Sequence, residues 1–255
     1  MPSVAPNFTH LFAPGTRYPW SCGDSLLVVE LPGVPLSLPS GRIVAIEPFL
    51  CGSGDPASLA FTQQVSPGTY PVVLVAVDVI GEQGEYRGDT RVAAARLDIR
   101  DEPVATWELA VQTGQDTKQL PADEVYDFPI GSGWGSFVDA QTFHVIGEEQ
   151  NFHEEDYFAE RVLDYIWKRD SEDPISLWPE KLAEPVTVPV RDHEHAVVVF
   201  TTGWGDGIYD TWIGRTADGD IACFLSDFEA LPDMEEQRAC RKISAVGTIP
   251  MDGGN

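Results

Sequence analysis

Glycine and proline interrupt this chain so often, 23 and 20 times in 255 residues, that its apolar runs stay short. Short apolar runs bounded by turn formers fit β-strands better than helices of three or more turns. SLLVVEL at 25–31, RIVAI at 42–46, TYPVVLVAVDVI at 69–80, RVAAARLDI at 91–99 and VATWELAV at 104–111 all read as strands. So do HAVVVF at 195–200, GIYDTWIG at 207–214 and IACFLSDF at 221–228, with Asp218-Gly219 as the hairpin turn between the last two. Under strict alternation Val92, Ala94, Arg96 and Asp98 share one strand face, and Arg91, Ala93, Ala95, Leu97 and Ile99 the other. Neither set is purely apolar or purely polar, which implies partial cover on both faces. No β-α units alternate. The expected fold is therefore mainly β: antiparallel, sandwich-like sheets in a single domain over 1–255, with a 43% hydrophobic fraction to fill the core.

One substantial helix is predicted at about 152–169. Asn151 fits its N-cap, Glu154 completes a capping box, and Phe158, Val162, Tyr165 and Ile166 form an apolar stripe. Acidic residues crowd its first turn, and Lys168 and Arg169 its last, as the helix dipole favours. Residues 171–190 read as a Pro-rich connection or insertion, and 250–255 as a disordered tail.

Charge narrows the partners. Sixteen Lys and Arg stand against 41 Asp and Glu, a net charge of −25. Such a field repels nucleic acid and anionic membranes and speeds encounters with basic surfaces. No stretch approaches the roughly 20 apolar residues of a membrane helix. The N-terminus lacks the apolar core of a secretory signal. Cys22, Cys51, Cys223 and Cys240 form no Cys-x-x-Cys pair and are expected to be reduced thiols. The expected location is cytoplasmic.

Gly203-Trp204-Gly205-Asp206-Gly207 is the motif that most resembles a site. A dinucleotide loop of this kind works because a helix follows and aims free N–H groups at phosphate. Here 208–213 reads as a strand and no Gly-Lys-Ser/Thr occurs, so the favoured reading is a tight connection with glycines at positive φ. A similar Gly-Trp-Gly at 133–135 also precedes an apolar segment and an aspartate. If the two loops share a groove, Trp134, Asp139, Trp204, Asp206, Tyr209 and Asp210 would line it, suiting a sugar or a cationic side chain.

Other chemistry is weakly supported. His193-Glu194-His195 lacks the further glutamate of a cupin-like metal site and reads as a polar strand end. Residues 131–135 have glycine where a nucleophilic serine would stand. Asp218-Gly219-Asp220 is a turn without calcium-loop spacing. No metal or cofactor is expected. Asp139, Asp206 and Asp227 are the first aspartates to consider for hydrolysis, since they lie at strand ends or beside glycine-rich loops.

Three blocks carry a family likeness: GTYPVVLVAV with RVAAARLDIRDEPVATWELAV, then FPIGSGWGSFVDAQT, then TTGWGDGIYDTWIGRTADGDIACFLSDF. Across roughly 60–230 the chain resembles the bacterial family catalogued as domain of unknown function 4241. That resemblance implies a predominantly β domain and carries no activity, substrate or catalytic residue with it. The sequence favours a non-catalytic, acidic cytoplasmic interaction protein, with the immunity partner of a basic toxin as its specific form. The alternatives are a small-ligand or carbohydrate-binding module using Trp134 and Trp204, and an aspartate-dependent hydrolase.

Overall fold

The turn-bounded apolar runs are strands in the computed structural model, which describes residues 6–121, 124–152, 157–171, 184–190 and 195–232. In chain order its elements are α1 (Phe8–Leu11), β1 (Arg17–Pro19), β2 (Ser25–Glu30), β3 (Val34–Leu38), β4 (Ile43–Ile46), α2 (Pro56–Leu59), β5 (Gly68–Ile80), β6 (Tyr86–Asp98), β7 (Thr106–Leu109), β8 (Asp127–Ile130), β9 (Trp134–Asp139), α3 (Ala140–Phe152), α4 (Tyr157–Ser171), β10 (Val186–Val190), β11 (His195–Thr201), β12 (Gly207–Arg215) and β13 (Ile221–Asp227). Nine strands form a large sheet ordered β1-β2-β5-β6-β13-β12-β7, with β3 also on β5 and β8 also on β12. A four-stranded sheet, β10-β11-β9-β4, packs against it. Neighbouring strands pair antiparallel in both sheets. This is the mainly β, sandwich-like fold that the turn spacing implied.

Alternation along the strands builds the layers. Val198 and Phe200 of β11 join Phe137, Leu74, Leu97, Ile213 and Phe224 between the sheets. Val197 and Val199 point the other way, against Phe143 and Ile146 of α3 and Phe158, Val162 and Ile166 of α4. The opposite, outer face of the large sheet buries Val28, Val77, Trp212 and Leu225 under Phe8, Phe12 and Ala230.

Strict alternation fails in β6. Val75 faces Ala94 while Ala76 faces Val92, so Ala93 is an extra residue, a β-bulge. The bulge places Val92 on the inner face with Ala95 and Leu97, and leaves Ala93 and Ala94 on the outer face. It also frees two carbonyls: Val92 O accepts from Gly203 N at 2.9 Å, and Ala93 O from Phe228 N at 2.9 Å.

The expected helix is α4, and a further helix, α3, precedes it. Asn151 lies within α3 and does not begin a helix; α4 starts at Tyr157. Its stripe is placed as expected, with Phe158, Val162 and Ile166 buried and Tyr165 half-buried. Glu154 and the side chain of Arg169 lie outside the described residues. The α3 stretch hid because it carries β-branched residues and Gly147 in its interior, all weak helix formers. Gly147 is there for packing: a Cβ would sit 2.8 Å from Gly52 O. Within the Pro-rich stretch, β10 pairs with β11, while 172–183 and the 250–255 tail lie outside the described residues. Among the described residues no helix is long and apolar enough to cross a membrane.

Candidate functional site

The loop between β11 and β12 is braced by its own protein. Gly203 N donates to Val92 O at 2.9 Å and Gly205 N to Thr202 O at 2.7 Å. Gly205 O accepts from Thr202 Oγ1 at 2.9 Å and from Tyr209 OH at 2.7 Å. Gly203 and Gly205 have φ of 39° and 120°, which glycine adopts readily. A Cβ on Gly203 would also collide with the Phe228 carbonyl oxygen. Both glycine N–H groups are thus committed to internal carbonyls, and a strand follows at Gly207. The loop lacks the helix-borne N–H array that holds phosphate.

The two Gly-Trp-Gly loops do meet. Thr202 N donates to Gly133 O at 3.0 Å, and a Cβ on Gly133 would lie 3.4 Å from Gly205 Cα. Their indoles part. Trp134 is half-buried against the helix-side cluster. Trp204 stacks on Trp20 with centroids 5.2 Å apart and planes 5° from parallel, and the Arg91 guanidinium lies 5.1 Å from its ring. Trp20 in turn packs on the outer face of the large sheet. The tryptophans therefore serve opposite sides of the sandwich and form no common wall.

Other sequence candidates divide between scaffold and surface. Asp139 is fully buried, accepting from Ser40 N at 3.0 Å, Ser40 Oγ at 2.8 Å and Gln141 N at 2.7 Å. It joins the small sheet to the start of α3, at the far end of β9 from Trp134. Tyr209 is buried edge-on against Phe228, and burial raises its hydroxyl pKa above the ordinary value. Asp206 is exposed beside Trp204. His195 is half-buried, with Nδ1 2.9 Å from Thr142 Oγ1; His193 and Glu194 lie outside the described residues.

What sequence reading missed is a row of carboxylates. Asp210 on β12 is directly opposite Asp227 on β13 and, on its other side, Asp127 on β8. Glu229 follows, the one described non-glycine residue at positive φ (50°), its N–H donating to Asp227 Oδ1 at 3.0 Å. Burial pushes Asp210 up to about 6, with Glu229 and Asp127 adding to the rise. Burial, then Asp210 and Glu229, push Asp227 up to about 7, against the Glu229 N–H. The two carboxyls thus face each other across the β12–β13 pair, both raised above the ordinary aspartate value chiefly by burial. Such a pair holds a proton or accepts a cationic group. Only the register of β8, β12 and β13 brings these residues together, and no local spacing announces it. Among the described residues, no group of three or more His, Cys, Asp or Glu is arranged to hold a metal ion.

Arginines of β6 and β12 are already paired. Arg91 meets Asp89 at 2.7 Å, Arg96 meets Asp98 at 2.6 Å and Glu30 at 3.1 Å, and Arg215 meets Glu108 at 2.6 Å. Asp127, Asp206, Asp210, Asp227 and Glu229 form no ion pair among the described residues. A cleft of about 820 Å³ on the outer face is lined by Phe12, Arg96, Trp107 and Cys223 among others. Its one thiol, Cys223, is pushed up to about 12 by burial, so it is a poor nucleophile.

The fold and this loop define a class: an antiparallel β sandwich whose glycine-rich β11–β12 connection anchors on a bulged strand. Residues 36–226 match the family described as "Protein of unknown function (DUF4241)", and the chain belongs to that family. Neither the curated proteins nor the solved structures include a significant match.

Proposed function

We propose that this protein is a non-catalytic acidic interaction protein of the cytoplasm that captures a basic protein, with the immunity partner of a basic toxin as its specific form. The observation that carries this reading is the disposition of charge. Arg91, beside Trp204, is engaged in an ion pair with Asp89, whereas Asp127, Asp206 and Glu229 form none among the described residues. The chain as a whole carries a net charge of −25. That field accelerates association with a basic partner and supplies acceptors for its Lys and Arg. The separation of Trp134 from Trp204 weighs against a glycan site built on both indoles.

The test is affinity capture with the purified chain at low and high ionic strength. A cognate basic protein should be retained at low salt and released at high salt, and deletion of the gene should harm cells only when that protein is active. Failure to retain any basic protein at low salt would contradict the reading. A second reading, aspartate-dependent hydrolysis, is favoured by the Asp210–Asp227 pair with its near-neutral titration. A hydrolytic activity found by screening and abolished by Asp227→Asn would establish it; one that survives the substitution would dismiss this pair.

A further inference from the structure

The β11–β12 turn carries more than charge. Trp204 is 45% exposed and Ile208 61% exposed, two large apolar side chains presented at one tip. Trp204 is held rigid by Trp20 and Arg91, and Ile208 sits on β12 opposite Pro129. Asp206 lies between them in the chain, and Asp206 and Glu229 both act electrostatically on Tyr209 beneath the turn. Asp210 and Asp227 follow on the adjoining strands. A rigid aromatic and an aliphatic anchor within a polar rim is the anatomy of an interface hot spot.

We infer that the Trp204–Ile208 tip, rimmed by the exposed Asp127, Asp206 and Glu229, is the docking surface for a basic protein whose apolar spot is surrounded by arginine or lysine. This rests on the interaction reading above and adds to it the surface and the partner's chemistry. Charge selects the occupant. A second copy of this chain brings the same net charge of −25 and meets the rim with like charges, which repel. Nucleic acid brings phosphate to carboxylates. A basic surface alone complements the rim, and only one with an apolar centre covers Trp204 and Ile208.

The experiment titrates the full chain with two peptides of equal positive charge, one alternating arginine and leucine, the other lysine alone. The ¹H–¹⁵N signals of Trp204 and Ile208 report the location. The arginine–leucine peptide should bind more tightly and shift those signals first. Ile208→Asp is the decisive variant: it adds a negative charge but removes the apolar anchor. Binding about tenfold weaker in Ile208→Asp supports docking at the tip; unchanged or tighter binding overturns it. Asp206→Lys should weaken binding more than Asp164→Lys on α4, a charge reversal of equal size elsewhere. Equal losses in the two, or first shifts on another face, overturn this surface while the interaction reading stands. No binding of either peptide at low ionic strength overturns the interaction reading itself.

Discussion

Asp210 and Asp227 face each other in direct register across two antiparallel strands, half-buried and, among the described residues, in no ion pair. Like charges placed opposite each other destabilise a sheet. Burial, more than the facing charge, raises both carboxyls above the ordinary aspartate range. A stability cost concentrated beside an exposed loop suits a surface kept for contact with something positive.

The pH dependence follows in sign. Both folded-state values, about 6 and about 7, lie above the ordinary 3.8. The folded chain therefore binds these protons more tightly than the unfolded chain. The stability they contribute is complete below about pH 4 and is lost as pH rises through 6 to 7. Asp227→Asn keeps an acceptor for Glu229 N–H and removes one charge. It should stabilise the protein by ~2 kcal/mol at about pH 8 and have little effect at about pH 4, as measured by urea unfolding at each pH.

Asp139 should behave as a strut. Its three hydrogen bonds are buried, so Asp139→Ala strands the Ser40 and Gln141 donors and should cost about 3 kcal/mol in denaturant unfolding. Where the variant remains folded, its affinity for a cationic peptide should match the wild type.

The loop glycines should differ. Gly203→Ala meets both a positive φ and the Phe228 carbonyl, and should cost ~3 kcal/mol or more. Gly205→Ala has the positive φ but open space around it, and should cost ~1 kcal/mol. Thermal unfolding of the two variants side by side checks the order.

Much of the fold was legible because turn chemistry is local. Asp218-Gly219 turns β12 into β13, and the glycines at 203–207 join two strands, both readable from a few adjacent residues. Three things were hidden. The bulge at Ala93 changes the phase of β6, and a run of three alanines gives no sign of where an extra residue sits. The α3 helix relies on Gly147 meeting Gly52, a contact nearly a hundred residues apart in sequence that overrides weak local propensity. The carboxylate row needs β8 beside β12, and residue 127 lies far from 210 and 227. The two Gly-Trp-Gly loops suggest one groove lined by Trp134, Asp139, Trp204, Asp206, Tyr209 and Asp210; in the fold Trp204 and Asp206 are exposed, Trp134 and Asp210 half-buried, and Asp139 and Tyr209 buried.

Carbodiimide cross-linking of the full chain to the basic protein it retains at low salt tests the interaction surface most directly, because it joins carboxylates to the lysines they touch. Mass spectrometry should place the links on Asp127, Asp206 and Glu229, around Trp204 and Ile208. Links concentrated on Glu148 and Asp164 of the helical layer, with the tip left unmodified, would contradict it.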